Sequence, residues 1–390
     1  MRKFSLIYWA YRNKITNKLW GVVHAPCRGK KRGSILISYL TGPFTLAPSE
    51  YFTDPHSSYW ECSEIVHLFS KRGYNVDIIN WNNKTFLPKK KYKLCLDIQN
   101  NLERLSKFLP KECVKIIHIV SANSKFQNNA ERKRLNDLKN RRGVILKTQR
   151  TNTLSENTTY ADFIEGFGNR TIHCSYKISN KPIFPIPISV VCKYDFPKNK
   201  NFKLARKNFL WFGGGGAILK GLDLVVEAFS RLPNLNLYII GPAPFEKEFS
   251  KEYKKELNLP NIHHYPRPKI SKNGSMTIEG QPFIKIMNRC VAIIYPSASE
   301  GTSGAVIQAM HAGIIPIITR EAGLSKNSPS IIIENPSVES IISLAQKVSE
   351  TNPATLYNTA HDSWKYVNQY HTKKKFSESY ANFIDNIIKL

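Results

Sequence analysis

At 390 residues the chain exceeds what a single hydrophobic core usually supports, and with 42% hydrophobic residues it can fill two domains of ordinary size. Lys and Arg (57) far outnumber Asp and Glu (29), and the formal charge of +28 predicts attraction to polyanions unless it reflects only a Lys-rich, solvated surface. The seven cysteines (Cys27, Cys62, Cys95, Cys113, Cys174, Cys192 and Cys290) form no CxxC pair and no zinc spacing. That excludes a disulfide scaffold and reads as reduced core thiols in a cytoplasmic protein.

The first stretch, MRKFSLIYWAYRNK, has only a short apolar run and no small-residue cleavage site, and no later segment approaches membrane-spanning length. It predicts a first strand or helix, whose Arg2, Lys3, Phe4, Tyr8, Trp9, Tyr11 and Arg12 could also rest on an anionic membrane surface. From Ser34 the pattern alternates between strand and helix. Strands are expected at 34–39, 76–79, 94–98, 114–120 and 143–146, helices at 63–72, 102–108 and 130–140, and two short extended pieces within 161–176. This alternation predicts a doubly wound parallel sheet. The closely spaced prolines Pro182, Pro185 and Pro187 favour extended chain, and with the basic tract at 197–200 they mark an interdomain linker, with a boundary near residue 195.

The second half opens with the strand 208–212, the run Gly213-Gly214-Gly215-Gly216, then Lys220-Gly221 and a helix over 222–231. Four glycines after a strand let backbone amides point into a space that any Cβ would narrow, and Lys220 can meet a diphosphate as a point charge. The run is neither GxGxxG nor a P-loop, because no GK[ST] follows. Strands follow at 237–240 and 262–265, a helix at 281–289, and then the strand Val291–Tyr295. After it come Glu300-Gly301-Thr302-Ser303-Gly304, a short helix over 305–310 and a strand over 314–319. Glu300 therefore falls at the carboxyl end of a parallel strand, where ligands of such sheets bind, and helix-start amides beside it favour an anion. A last strand at 331–333 and helices over 338–349, around 360–370 and over 376–388 complete a six-stranded sheet and its cover.

PSASEGTSGAVIQAMHAGIIPIIT, at 296–319, resembles the signature of the retaining nucleotide-sugar glycosyltransferases of the GT-B fold, also known as glycosyl transferases group 1 or family 4-like. The resemblance is good from about 208 to 324 and architectural only before that. It implies an α/β protein of two Rossmann-like doubly wound parallel-sheet domains facing a cleft: 1–195 on the acceptor side, 196–365 binding the nucleotide-sugar, and a C-terminal helix over 366–390 packing back on the first domain. It further implies that Glu300 faces the donor sugar, that the residue eight positions on holds the ribose, and that the glycines and Lys220 hold the diphosphate together with the 302–304 amides. Two positions depart from the pattern. Gln308 stands where the family has a second Glu, and a glycine stands where an Arg usually follows the first Gly of the turn, so Lys220 acts alone or with a base such as Arg267 or Arg320. In the family a His of the first domain faces the donor sugar, which here points to His56, with His118 in reserve.

The function expected on this resemblance is retaining transfer of a sugar from a nucleoside-diphosphate donor to a hydroxyl of a cell-surface glycan or lipid-linked acceptor. No cofactor or metal is expected, since the chain has no Asp-x-Asp. The enzyme would be cytoplasmic, held by its charge at the inner membrane surface. Two rival readings remain: a GT-B protein that binds nucleotide-sugar without turnover, and a basic nucleic-acid-binding protein, which no recognisable nucleic-acid motif supports.

Overall fold

A computed structural model describes residues 3–46, 53–98, 101–176 and 181–388. The first lobe opens with helix α1 (Lys3–Trp20) and strand β1 (Val22–Ala25), followed by β2 (Gly33–Tyr39), α2 (Ser58–Lys71), β3 (Tyr74–Asn80) and β4 (Leu94–Asp97). Next come α3 (Leu102–Ser106), β5 (Val114–Ile119), α4 (Ser124–Arg142), α5 (Asn157–Tyr160), β6 (Phe163–Gly166), α6 (Arg170–Ser175) and β7 (Ile183–Pro185). The seven strands lie in the order β1-β3-β2-β4-β5-β6-β7. All are parallel except β1, which runs antiparallel to β3 at the edge.

The second lobe contains α7 (Phe202–Ala205), β8 (Asn208–Phe212), α8 (Leu222–Ser230), β9 (Asn236–Ile240), α9 (Lys247–Glu252), α10 (Lys254–Leu257) and β10 (Ile262–Tyr265). A small antiparallel sheet of β11 (Lys269–Ile270), β12 (Met276–Ile278) and β13 (Gln281–Pro282) precedes α11 (Phe283–Arg289). The main sheet then continues through β14 (Ala292–Tyr295), α12 (Gly304–His311), β15 (Ile315–Ile318) and β16 (Ile331–Ile332). Its six strands, ordered β10-β9-β8-β14-β15-β16, are all parallel. Strands buried on both faces must be apolar throughout, and β14 (Ala-Ile-Ile-Tyr) and β15 (Ile-Pro-Ile-Ile) are buried at every position.

The chain ends in α13 (Val338–Glu350), α14 (Pro353–Tyr370) and α15 (Lys373–Ile388). Ser337 starts α13 through a reciprocal cap with Ser340. Helix α15 packs on α2 of the first lobe, where Arg72 pairs with Asp385 at 2.6 Å and Ser377 donates to Glu64 at 2.8 Å. Deeper in, the Tyr380 hydroxyl donates to buried Glu165 of β6 at 2.8 Å, and His118 Nδ1 lies at the same distance from that carboxylate. The last helix is thus tied to the first sheet by polar bonds inside an apolar contact, which fixes its rotation as well as its position.

Three local expectations of the first lobe change. Residues 143–146 form no strand: Ile145 is 77% exposed, and the segment runs as coil after Gly143, whose left-handed φ of +72° ends α4. The region 161–176 holds one strand and one helix rather than two extended pieces. The proline-rich segment is partly a strand, since β7 pairs with β6 at the sheet edge, where a proline's missing N–H is tolerated. The N-terminal stretch is a helix, and the short edge strand β1 behind it had no sequence signal of its own.

Candidate active site

Strands β8 and β14 are neighbours in the second sheet, with β9 on one side of the pair and β15 on the other. The chain therefore leaves the sheet in opposite directions after these two strands, and the crevice so formed is where open α/β sheets bind ligands. The glycine turn follows β8 and the Glu300 loop follows β14, so two segments eighty residues apart become adjacent. Lys220 is buried, and its Nζ donates to Glu300 Oε1 and, at 3.0 Å, to the Tyr295 hydroxyl. Tyr295 donates in turn to Glu300 Oε1 at 2.7 Å, and Ser297 reaches the same oxygen at 3.4 Å. Burial alone would raise the Glu300 pKa, but the charge and hydrogen bond of Lys220, with Tyr295 and Arg150, outweigh it and hold the carboxyl below its usual range. One carboxylate oxygen is fixed by three donors while Oε2 remains available to the cleft.

The cleft between the lobes holds about 530 Å³ of open volume, within the range of small-molecule sites. From the second lobe it is lined by Gly213, Gly214, Gly215, Lys220, Glu300, Thr302, Ser303, Gly304 and Gln308, and from the first by His56. Two expected residues lie off its wall. Gly216, at φ +90°, donates its N–H to Glu246 Oε1 and lies under the Arg150 side chain. Gly301 lies against the first lobe's backbone, where a Cβ would come within 2.5 Å of the Val120 carbonyl oxygen. Of the turn's amides, those of Gly214 and Gly215 have no protein acceptor among the described residues, whereas Gly213 N–H donates to Ile240 O at 3.0 Å. Ser303 caps α12 by accepting from Val306 N–H at 3.4 Å, and its own N–H is taken by Ala322 O. Among the described residues the first amides of that helix without an acceptor are therefore those of Gly304 and Ala305, both on the cleft.

Positive charge reaches the glycine turn from two further directions. Arg267, in the loop after β10, has its guanidinium 3.5 Å from the point where a Cβ on Gly214 would sit. Arg150, in the first-lobe coil after α4, lies over Gly216 and also lines the cleft. Neither guanidinium meets a carboxylate among the described residues. Arg320 is elsewhere: it is exposed and pairs with Glu334 at 2.7 Å. Arg150 and Tyr295 carried no sequence signal, Arg150 because it sits in irregular chain and Tyr295 because it reads as the last apolar residue of a buried strand.

His56 is open to cleft solvent but hemmed in by protein, and that desolvation lowers its pKa; Asp54 and Glu300 act to raise it, Lys220 and Arg267 to lower it further. Its Nδ1 lies 2.6 Å from the Ser58 hydroxyl and 3.4 Å from the Ser58 N–H, an arrangement that makes Nδ1 the acceptor and leaves the ring proton on Nε2. His118 is fully buried among Tyr39, Phe167 and Tyr380 and does not reach the cleft, because β5 turns it into the first lobe's core. Gln308 touches the cleft, but its amide is already engaged: Oε1 accepts from Cys192 N–H at 3.1 Å and Nε2 donates to Cys192 O at 2.8 Å. Both of its polar atoms thus clasp the segment joining the lobes.

Residues 195–352 match the family model described as Glycosyl transferases group 1. No curated protein matches the chain by sequence. Among solved structures the chain is similar to sucrose-phosphate synthase from Thermosynechococcus elongatus, 12% identical with a TM-score of 0.62, over 92% of this chain and 100% of that one. It is similar also to WaaG, a glycosyltransferase involved in lipopolysaccharide biosynthesis, at 13% identity and a TM-score of 0.52, over 90% and 99%. A third similarity is to S. aureus TarM, solved with UDP and alpha-GlcNAc-glycerol, at 10% identity and a TM-score of 0.51; it covers 74% of this chain and 54% of that one, so the chain spans about half of TarM's length. The shared architecture is the GT-B fold.

Proposed function

We propose that this chain, whose group 1 domain at 195–352 and GT-B fold support a glycosyltransferase, moves a sugar from a nucleoside-diphosphate donor to a hydroxyl of a glycan or lipid-linked acceptor, with retention and without a metal. The observation that carries the reading is the meeting of Lys220 and Glu300 below a glycine turn that Arg267 and Arg150 approach from either side. The diphosphate would lie on the Gly214 and Gly215 amides, with Arg267 supplying charge that the turn itself lacks and Arg150 adding a contact from the opposite lobe. Glu300 Oε2 would accept sugar hydroxyls, and His56 Nε2–H would face the sugar from above.

In the transfer, the bond from the anomeric carbon to the leaving phosphate oxygen breaks with its electron pair going to that oxygen. The acceptor hydroxyl forms the new bond on the same face, and its proton passes to the diphosphate. Fixed positive groups around the growing phosphate charge lower this barrier most, because they need no reorganisation as the charge develops. Lobe closure would exclude water and favour transfer over hydrolysis. The wider setting we propose is an anionic membrane face, which the net charge suits.

The test is turnover of a panel of nucleotide-sugars, beginning with UDP-sugars because TarM was solved with UDP. Release of nucleoside diphosphate with a glycosylated acceptor is expected. Donor binding without turnover would leave a silent binding protein in its place. Tight, salt-sensitive DNA binding indifferent to nucleotide-sugars would favour the nucleic-acid reading.

A further inference from the structure

Helix α1 leaves an apolar stripe uncovered from Tyr8 onward. The face it turns to the protein carries Ala10, Asn13 and Thr16, all buried, and the helix is held there by polar bonds. Asn13 Nδ2 donates to His24 O at 3.1 Å and Phe44 O at 3.0 Å, while Asn13 Oδ1 accepts from His24 N–H at 2.9 Å. Four large side chains face away, Tyr8 at 62% exposed, Tyr11 at 69%, Ile15 at 45% and Leu19 at 62%, whereas Trp9, on the inward side, is half-buried. At about 100° per residue these four fall within roughly a quarter turn of one another, with Arg12 at one edge of the stripe and Lys18 at the other. A surface helix of a globular protein has the opposite arrangement, so this stripe lacks the cover its composition calls for.

Trp20 is 64% exposed, and the loop after β3 is tied to this point by Asn83 Nδ2, which donates to Gly21 O at 3.1 Å. That loop carries exposed Leu87, Lys89 and Lys91, while Lys90 between them pairs with Asp77 at 2.6 Å. The helix thus presents an apolar stripe bordered by Arg12 and Lys18, with exposed Trp20 and the Leu87 loop near its C-terminal end.

We propose that α1, together with the Leu87–Lys91 loop, is the surface by which the protein lies on an anionic phospholipid bilayer. Charge selects this occupant over a second copy of the chain, since two molecules of formal charge +28 repel each other while an anionic headgroup layer attracts each. Tyr and Trp have an apolar body and a polar tip and suit the headgroup boundary, and Arg12 and Lys18 can extend their heads to lipid phosphates from the edges of the band. This deepens the membrane part of the proposed function and is independent of the donor chemistry.

The test is flotation of the full chain with vesicles of phosphatidylcholine alone and of phosphatidylcholine with phosphatidylglycerol, at low and high salt. Binding is expected to the anionic vesicles only, and to weaken as salt rises. Tyr11→Ser/Leu19→Ser, which removes two exposed side chains, is expected to weaken binding by about tenfold or more while leaving the melting temperature and turnover of a water-soluble donor unchanged. Vesicle binding by that variant equal to the parent's overturns the proposal, as does equal binding to neutral vesicles. A dimer in sedimentation equilibrium that the same variant dissociates overturns it in favour of a second copy. Lost turnover with intact vesicle binding would sink the catalytic reading and leave this surface standing.

Discussion

Glu300 is held by the groups that also give it a purpose. Its Oε1 is taken by Lys220, Tyr295 and Ser297, so only Oε2 can meet a substrate. Glu300→Gln is expected to lower transfer by about 10²-fold or more, because an amide both weakens the acceptor and leaves Lys220 without its counter-charge. Lys220→Ala is expected to do the same and also to cost about 1–3 kcal/mol of stability, since the carboxylate it leaves is largely buried. Turnover and thermal melts measured on the same samples check both, and full activity in either variant refutes the site. Gln308 makes a different prediction. A glutamate there cannot donate to Cys192 O and would set a carboxylate against a carbonyl, so Gln308→Glu is expected to cost about 1–3 kcal/mol. An unchanged melting temperature would show that the amide does not clasp the lobe connection. Sequence marked Gln308 as a departure from a pattern, but the carbonyl it bonds lies 116 residues away and only folding brings them together.

The loop from β14 to α12 meets the first lobe directly at Gly301. A methyl group there would come within 2.5 Å of Val120 O and 3.0 Å of Ser121 N, both backbone atoms that cannot rotate aside. Gly301→Ala is therefore expected to push the first lobe off the loop, cutting turnover by about tenfold or more through misplacement while the second lobe still binds nucleotide. Small-angle scattering should report a more open molecule, and identical scattering with full turnover would refute the contact. The loop's glycines were visible as glycines, but the reason differs between them: Gly301 admits the other lobe, not a ligand. The main-sheet strands of the second lobe and helices α8, α12, α13 and α15 were legible to within a few residues, whereas α7, α9, α10 and the β11–β13 sheet were not, and 281–282, expected as the start of a helix, is β13. The segment 143–156, which carries Arg150, was not legible either, because irregular chain has no period and its shape comes from side chains such as Glu131, which accepts from the N–H groups of Gln149 and Arg150.

At the scale of the molecule, the lobes are coupled by charge on one side and by buried histidines on the other. Arg141 of α4 meets Asp223 at 2.7 Å and Glu227 at 2.8 Å on α8, both carboxylates nearly buried. His311 Nε2–H donates to His371 O at 2.9 Å, and His371 Nδ1 faces Ile188 O at 3.3 Å. Burial lowers both imidazoles to about 4; for each a backbone carbonyl acts to raise it, and Lys193 lowers His311 further as His311 does His371. An unfolded histidine titrates near about 6.5, so the unfolded chain gains protons first as pH falls. The stabilising effect of the two neutral rings is therefore complete above about pH 6.5 and is lost progressively down to about pH 4, at up to about 3 kcal/mol for each ring. Melting temperatures measured from pH 7.5 downward should fall more steeply for the parent than for His311→Gln, and equal slopes would refute the assignment.

The sequence by itself determined the parallel sheets, the main-sheet strands of the second lobe, the glycine turn and the Glu300 loop, because apolar period, strand-ending glycines and local turn chemistry are written in consecutive residues. Only the tertiary structure decided that Lys220 pairs with Glu300, that Arg150 crosses from one lobe to the other, that Gln308 holds the lobe connection and that α1 turns its apolar face outward. Each of these depends on which distant segment packs against which, and burial and partnership of that kind have no expression in local sequence.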